Sequence, residues 1–94
     1  MRVEVVLPGV LASDAGGARE LTVEVAGDAV VRHALDAVAE GHPALGRRLR
    51  DEAGAIRRHV NLFVDGEDIR RTGGQDAPLT DGSVLLVIPN VSGG

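Results

Sequence analysis

The stretch Asn90-Val91-Ser92-Gly93-Gly94 follows directly on the apolar run Val84-Leu85-Leu86-Val87-Ile88 and Pro89. A strand that stops at a proline and then releases small residues carries a free carboxylate beyond the body of a fold. Without a Cβ, Gly93 and Gly94 can thread a channel too narrow for any other residue. That suits a carboxylate on which another enzyme works. Ser-Gly-Gly equally fits a frayed chain end, because termini are commonly disordered and tolerant of change. The residues alone leave both readings open.

Other chemistries find little support. With no cysteine there is no thiolate nucleophile, thiolate metal site or disulfide, which fits a reducing cytoplasm. All ten basic residues are arginine, so no side-chain amine is available for an isopeptide bond to another copy. His33, His42 and His59 lack the spacing of a metal pair such as His-x3-His, so no metal site is expected. The glycine pairs at 16–17 and 73–74 lack the Gly-Lys-Ser/Thr ending of a phosphate loop and read as turns. No Ser-His-Asp or paired-carboxylate arrangement stands out, and none of the residues reads as catalytic.

Composition narrows the partners. A net charge of −4, with one Phe and no Tyr or Trp, argues against nucleic acid, which needs a basic face and stacking aromatics. Arg47, Arg48, Arg50, Arg57 and Arg58 form a basic run that reads either as a contact for an acidic partner or as a solvated face balanced by Asp51 and Glu52. No apolar run approaches the roughly 20 residues that span a bilayer. Glu4 and Pro8-Gly9 spoil the apolar N-terminal stretch as a secretory signal. The expectation is a cytoplasmic protein with no membrane partner. A chain of 94 residues makes one domain with a single modest core.

Those ends must be positioned by the elements between them. Val3, Val5 and Leu7 alternate with Arg2 and Glu4, although Val6 breaks the pattern, and Leu21, Val23 and Val25 alternate with Glu20, Thr22 and Glu24. Both read as half-buried strands, joined by a polar loop over 8–19. Asp28 is placed to cap a helix whose apolar positions Val31, Ala34, Leu35 and Val38 follow the helical repeat, with Gly41 as its stop. His42-Pro43 opens a weaker turn or short helix carrying Leu45 and Leu49, ended by Gly54. Val60, Leu62 and Val64 mark a third strand, Asp65-Gly66 a tight turn, and Asp68 to Arg71 a short return. Residues 72–82 form a loop anchored by Leu79, and Val84 to Ile88 is the last strand.

Five consecutive apolar residues ordinarily mark a strand buried on both faces. Here one long helix covers only one face of a four- or five-stranded sheet. If Leu85 and Val87 meet that helix, Val84, Leu86 and Ile88 point away with Phe63 beside them, an exposed apolar patch of the kind that marks a partner site. The competing expectation is that the loops over 8–19 and 72–82 fold across them.

These features together resemble a ThiS/MoaD-type β-grasp sulfur carrier, a bacterial relative of ubiquitin. The resemblance rests on the hairpin-helix opening, Val60-Asn61-Leu62-Phe63-Val64-Asp65-Gly66-Glu67-Asp68-Ile69-Arg70, Asp81-Gly82, and the ending Ile88-Pro89-Asn90-Val91-Ser92-Gly93-Gly94. The longer linker after the helix and the wording of residues 60–74 are most similar to the CysO branch. The resemblance implies an α+β, ubiquitin-like domain over 1–90 with a mixed four- to five-stranded sheet, one main helix on one face and a flexible tail over 91–94. It also implies a co-substrate rather than an enzyme. An ATP-dependent partner resembling ubiquitin-activating enzymes would adenylate Gly94, and a sulfur donor would leave a thiocarboxylate there. A second partner would take the sulfur for cysteine, thiamin, molybdopterin or a secondary metabolite. Val91, Ser92 and Gly93 would enter the partner's channel, and Phe63, Leu86 and Ile88 would form the docking face. No bound cofactor is implied, ATP being used by the activating partner. A protein modifier, joined through Gly94 to lysines of targets, and a β-grasp binding module with an idle tail remain as alternatives.

Overall fold

The computed structural model describes residues 1–89. Asn90 to Gly94 lie outside the described residues, and so does the expected tail over 91–94. Strand β1 (Arg2–Val6) pairs antiparallel with β2 (Glu20–Glu24), setting Val3 opposite Val23 and Val5 opposite Leu21. The connection between them is more ordered than the expected polar loop. Helix α1 (Gly9–Ala12) and a 3-10 turn over Ser13–Ala15 bury Leu11, Ala12 and Ala15. The surrounding glycines and polar residues read as loop, and they masked this one-turn apolar face.

Helix α2 (Val31–Gly41) buries Val31, Ala34, Leu35 and Val38, as the spacing predicts. Its start is corrected from Asp28 to Val30, which stays extended because it bridges Pro78. The Val30 amide donates to His33 Nδ1 at 3.0 Å, so a side chain in the first turn reaches back to the cap. Its end is corrected as well. Gly41 is still helical, and the chain turns out at His42 (φ −140°, ψ 78°), a residue that the following Pro43 disfavours in the helical region.

Pro43 then opens α3 (Pro43–Leu49), which buries Leu45 and Leu49. Gly46 lets α3 approach α2 closely, since a Cβ there would lie 2.6 Å from Ala39 Cβ and 2.9 Å from its Cα. Helix α3 stops at Leu49 rather than near Gly54. Asp51 Oδ1 accepts the amides of Ala53 and Ala55 at 2.9 and 3.0 Å and folds residues 51–55 into a turn.

Strand β3 (Val60–Val64) returns through Asp65-Gly66 to β4 (Glu67–Asp68). Both turn residues have positive φ, 50° and 89°, as a type I′ hairpin requires. The return is shorter than the expected Asp68 to Arg71. Ile69 leaves the strand to enter the core and begins a 3-10 turn over Ile69–Arg71, in which Asp68 Oδ1 accepts the Arg70 amide at 2.9 Å. In residues 72–82, Ala77 and Leu79 anchor the loop to the core.

Strand β5 (Val84–Pro89) occupies the centre of the five-stranded sheet, order β2-β1-β5-β3-β4, parallel to β1 and antiparallel to β3. This mixed sheet with α2 across one face is a β-grasp fold. The inward residues of β1, β3 and β5 share one core with α2, α3, Leu11, Ala15, Ala77 and Leu79. Both long connections therefore pack on the helical side.

Candidate functional site: the open face of the sheet

Alternation along β5 divides its apolar run between two environments. Leu85 and Val87 are 0 and 1 % exposed beneath the helices, whereas Val84 and Ile88 are 39 and 38 % exposed and Leu86 is half-buried. Register brings Phe63 directly opposite Leu86 and Asn61 opposite Ile88. The three residues expected at a docking face, Phe63, Leu86 and Ile88, thus lie together on the side away from α2. The loops over 8–19 and 72–82 do not cover them, because their apolar residues are spent in the core on the other side.

One member of this patch escaped the sequence reading. Val6 is the parallel-register partner of Leu86, just as Val5 is of Leu85, so it lies on the open face. The signal was its break in the β1 alternation, an apolar residue at an outward position. Beyond Val6 the face turns polar. Thr22 Oγ1 donates to Glu4 Oε1 at 2.9 Å, and Arg2 Nε donates to Glu24 Oε2 at 3.0 Å. The β1/β2 half of the face is therefore hydrophilic and the β5/β3 half apolar.

The ends of this strip are built differently. At the start of β5, buried Ser83 donates from Oγ to Asp65 Oδ2 at 3.1 Å and accepts the Thr80 amide at 2.9 Å. Asp65 Oδ1 takes the Val84 amide at 2.9 Å, so one carboxylate joins the β3-β4 turn to the entry of the central strand. At the far end Pro89 stands opposite Val60. Beside Phe63, the Asp68 carboxyl is lowered to about 2, chiefly by the hydrogen bond from the Arg70 side chain and then by the Arg70 amide. The pair places a neutralised carboxylate and guanidinium at the edge of the apolar strip.

Of the remaining expected positions, Val91, Ser92, Gly93 and Gly94 lie outside the described residues. Two members of the basic run form ion pairs, with residues other than the expected Asp51 and Glu52. Arg50 pairs with Asp36 at 2.7 Å and Arg48 with Asp14 at 3.7 Å, while Asp51 is engaged in its own turn. Among the described residues no group of His, Cys, Asp or Glu is arranged to hold a metal ion, and no helix is long and apolar enough to cross a membrane.

Known proteins share this architecture and are similar in sequence. The ThiS family model matches residues 5–94. This chain belongs to the ThiS family. It is 32 % identical to the sulfur carrier protein CysO of Mycobacterium tuberculosis, with all of both chains covered. The crystal structure of small archaeal modifier protein 1 (SAMP1) from Haloferax volcanii superposes with a TM-score of 0.85 at 36 % identity, again over all of both chains. A chain of the Amycolatopsis orientalis BexX/CysO complex gives 0.82 at 35 % identity, covering 98 % of this chain and 99 % of that one. The ThiS/MoaD resemblance and the likeness to CysO therefore stand, as does the ubiquitin-like fold.

Proposed function

We propose that this ThiS-family chain is a protein co-substrate that carries sulfur on Gly94. The observation that carries the reading is that the family match continues past the end of the sheet at Pro89, through Val91-Ser92-Gly93-Gly94. A carboxylate is a poor electrophile. In the proposed cycle an activating enzyme joins the Gly94 carboxylate to the α-phosphate of ATP, releasing pyrophosphate. Sulfide, or a sulfur donor equivalent to it, attacks the resulting acyl-adenylate and expels AMP. The product is a thiocarboxylate, whose sulfur passes to a biosynthetic acceptor enzyme. The chain contributes a recognisable body and a slender substrate arm. Val91, Ser92 and Gly93 enter the partner's channel, and Phe63, Leu86 and Ile88, joined by Val6, form the docking strip. ATP belongs to the activating partner.

The CysO of Amycolatopsis orientalis forms a complex with BexX, which supports a protein partner for this chain. A second reading is favoured by the likeness to a small archaeal modifier, in which a lysine amine of a target attacks the same adenylate. The chain has no lysine, so it would modify other proteins without forming lysine-linked chains of itself.

The test is mass spectrometry after incubation with the cognate activating enzyme, ATP and sulfide, followed by iodoacetamide. The chain lacks cysteine, so alkylation reports a thiocarboxylate once the C-terminal fragment is sequenced to separate it from Met1 oxidation. Alkylated sulfur on Gly94 is the expected result. A carboxylate that stays unmodified overturns sulfur carriage, and isopeptide adducts in cell extracts select the modifier.

A further inference from the structure

The structure also sorts its charges. Residues 44–59 hold five arginines against Asp51 and Glu52, a formal +3, while the rest of the chain holds five arginines against twelve carboxylates, −7, giving the overall −4. Among the described residues, Arg2, Arg32, Arg48, Arg50 and Arg70 form ion pairs. Three of the remaining five, Arg47, Arg57 and Arg58, sit together in this segment. Arg57 Nε donates to the Arg47 carbonyl at 2.6 Å, joining the loop before β3 to α3, and a shallow depression there is lined by Asp14, Ala44, Arg47, Arg48, Arg57 and His59. In a protein with surplus carboxylates, surface arginines would readily find acidic neighbours. Asp14, Asp36, Asp51 and Glu52 lie nearby, yet none of them forms an ion pair with Arg47, Arg57 or Arg58 among the described residues, and the segment keeps a localised positive field on an acidic molecule.

Its place in the fold gives that field a role. Arg58 and His59 run directly into Val60, and Val60 is the register partner of Pro89, the last residue of β5. The five residues after Pro89 span at most roughly 17 Å when fully extended. Any enzyme that takes Gly94 into its active site therefore stands against this end of the sheet. We propose that Arg47, Arg57 and Arg58 form a second docking surface, separate from the apolar strip, for an acidic rim on the enzyme that activates Gly94. This rests on the sulfur-carrier reading for its partner. The apolar strip supplies contact area, and the arginines speed and orient encounter through charge complementarity.

The test compares Arg47→Glu/Arg58→Glu with the wild type in binding to the cognate activating enzyme without ATP, and in pyrophosphate release with ATP, over a range of salt. Neither side chain makes a described hydrogen bond, and matching circular dichroism and Tm confirm that the variant is folded. The expected result is a rise in Kd and KM on the order of tenfold at low salt, kcat unchanged, and loss of most of the salt dependence. Arg32→Glu, on α2 beside Asp76, reverses one charge outside the patch and leaves both constants near the wild type. Wild-type affinity in the double variant, or an equal loss in Arg32→Glu, overturns the proposal. Tight, salt-sensitive wild-type binding without pyrophosphate release would overturn the carrier reading while leaving the surface intact.

Discussion

The inner and outer faces of β5 are built from the same residue types and do different things. Leu85 and Val87 are sealed under α2 and stabilise the fold, whereas Leu86 and Ile88, one position away on the same strand, keep an apolar surface facing solvent. Hydrophobic stabilisation follows the area removed from water, so the outer residues contribute little to folding until something covers them. The polar β1/β2 half and the apolar β5/β3 half of the open face sharpen the contrast.

Substitutions on the two faces should separate these roles. Leu85→Ala is expected to destabilise the protein by about 2–5 kcal/mol in chemical denaturation, through lost transfer energy and the cavity left behind. Leu86→Ala, the same change one residue along, should cost about 1 kcal/mol or less. Equal losses would break the distinction between the faces.

Gly46→Val strikes the covered side, where a Cβ meets Ala39 at 2.6 Å, and should cost about 1–3 kcal/mol as α3 is forced from α2. Ser83→Ala removes an acceptor from the Thr80 amide and a donor to Asp65, an expected loss of about 1–2 kcal/mol in the same assay.

Ile88→Asp places a charge on the open face. Its Tm should stay close to the wild type while the KM for the activating enzyme rises; unchanged KM would remove Ile88 from the docking strip.

The smallest effect is at the rim. Because the Asp68 carboxyl is lowered to about 2 from an ordinary 3.8, its contribution to stability is present above the ordinary value and is lost as pH falls toward 2. Asp68 is partly exposed and its partner Arg70 largely so, which makes the change slight and best followed as a carboxyl NMR titration. Arg70→Gln should return the midpoint toward 3.8.

Much of this was legible beforehand because periodicity reports which residues share a face. The alternation of Val3, Val5 and Leu7 and the helical spacing of Val31, Ala34, Leu35 and Val38 located the main elements, and Asp65-Gly66 announced its turn through the rarity of paired positive φ. Boundaries were less legible where a local side-chain bond or a bridge overrode propensity. Asp51 shortened α3, Asp68 turned the chain inward at Ile69, and the Val30–Pro78 bridge displaced the cap from Asp28.

By itself the sequence determined that β5 is apolar throughout, that glycines stand at 93 and 94, and that neither thiol nor amine chemistry is available in the side chains. Only the tertiary structure decided that both long connections pack beside the helices, that Val6 joins Phe63, Leu86 and Ile88, and that Arg57 is tied to Arg47 across the loop that leads into β3. The physical reason is that burial and charge balance depend on what stands opposite a residue, and strand register and loop packing set that through contacts distant in the chain.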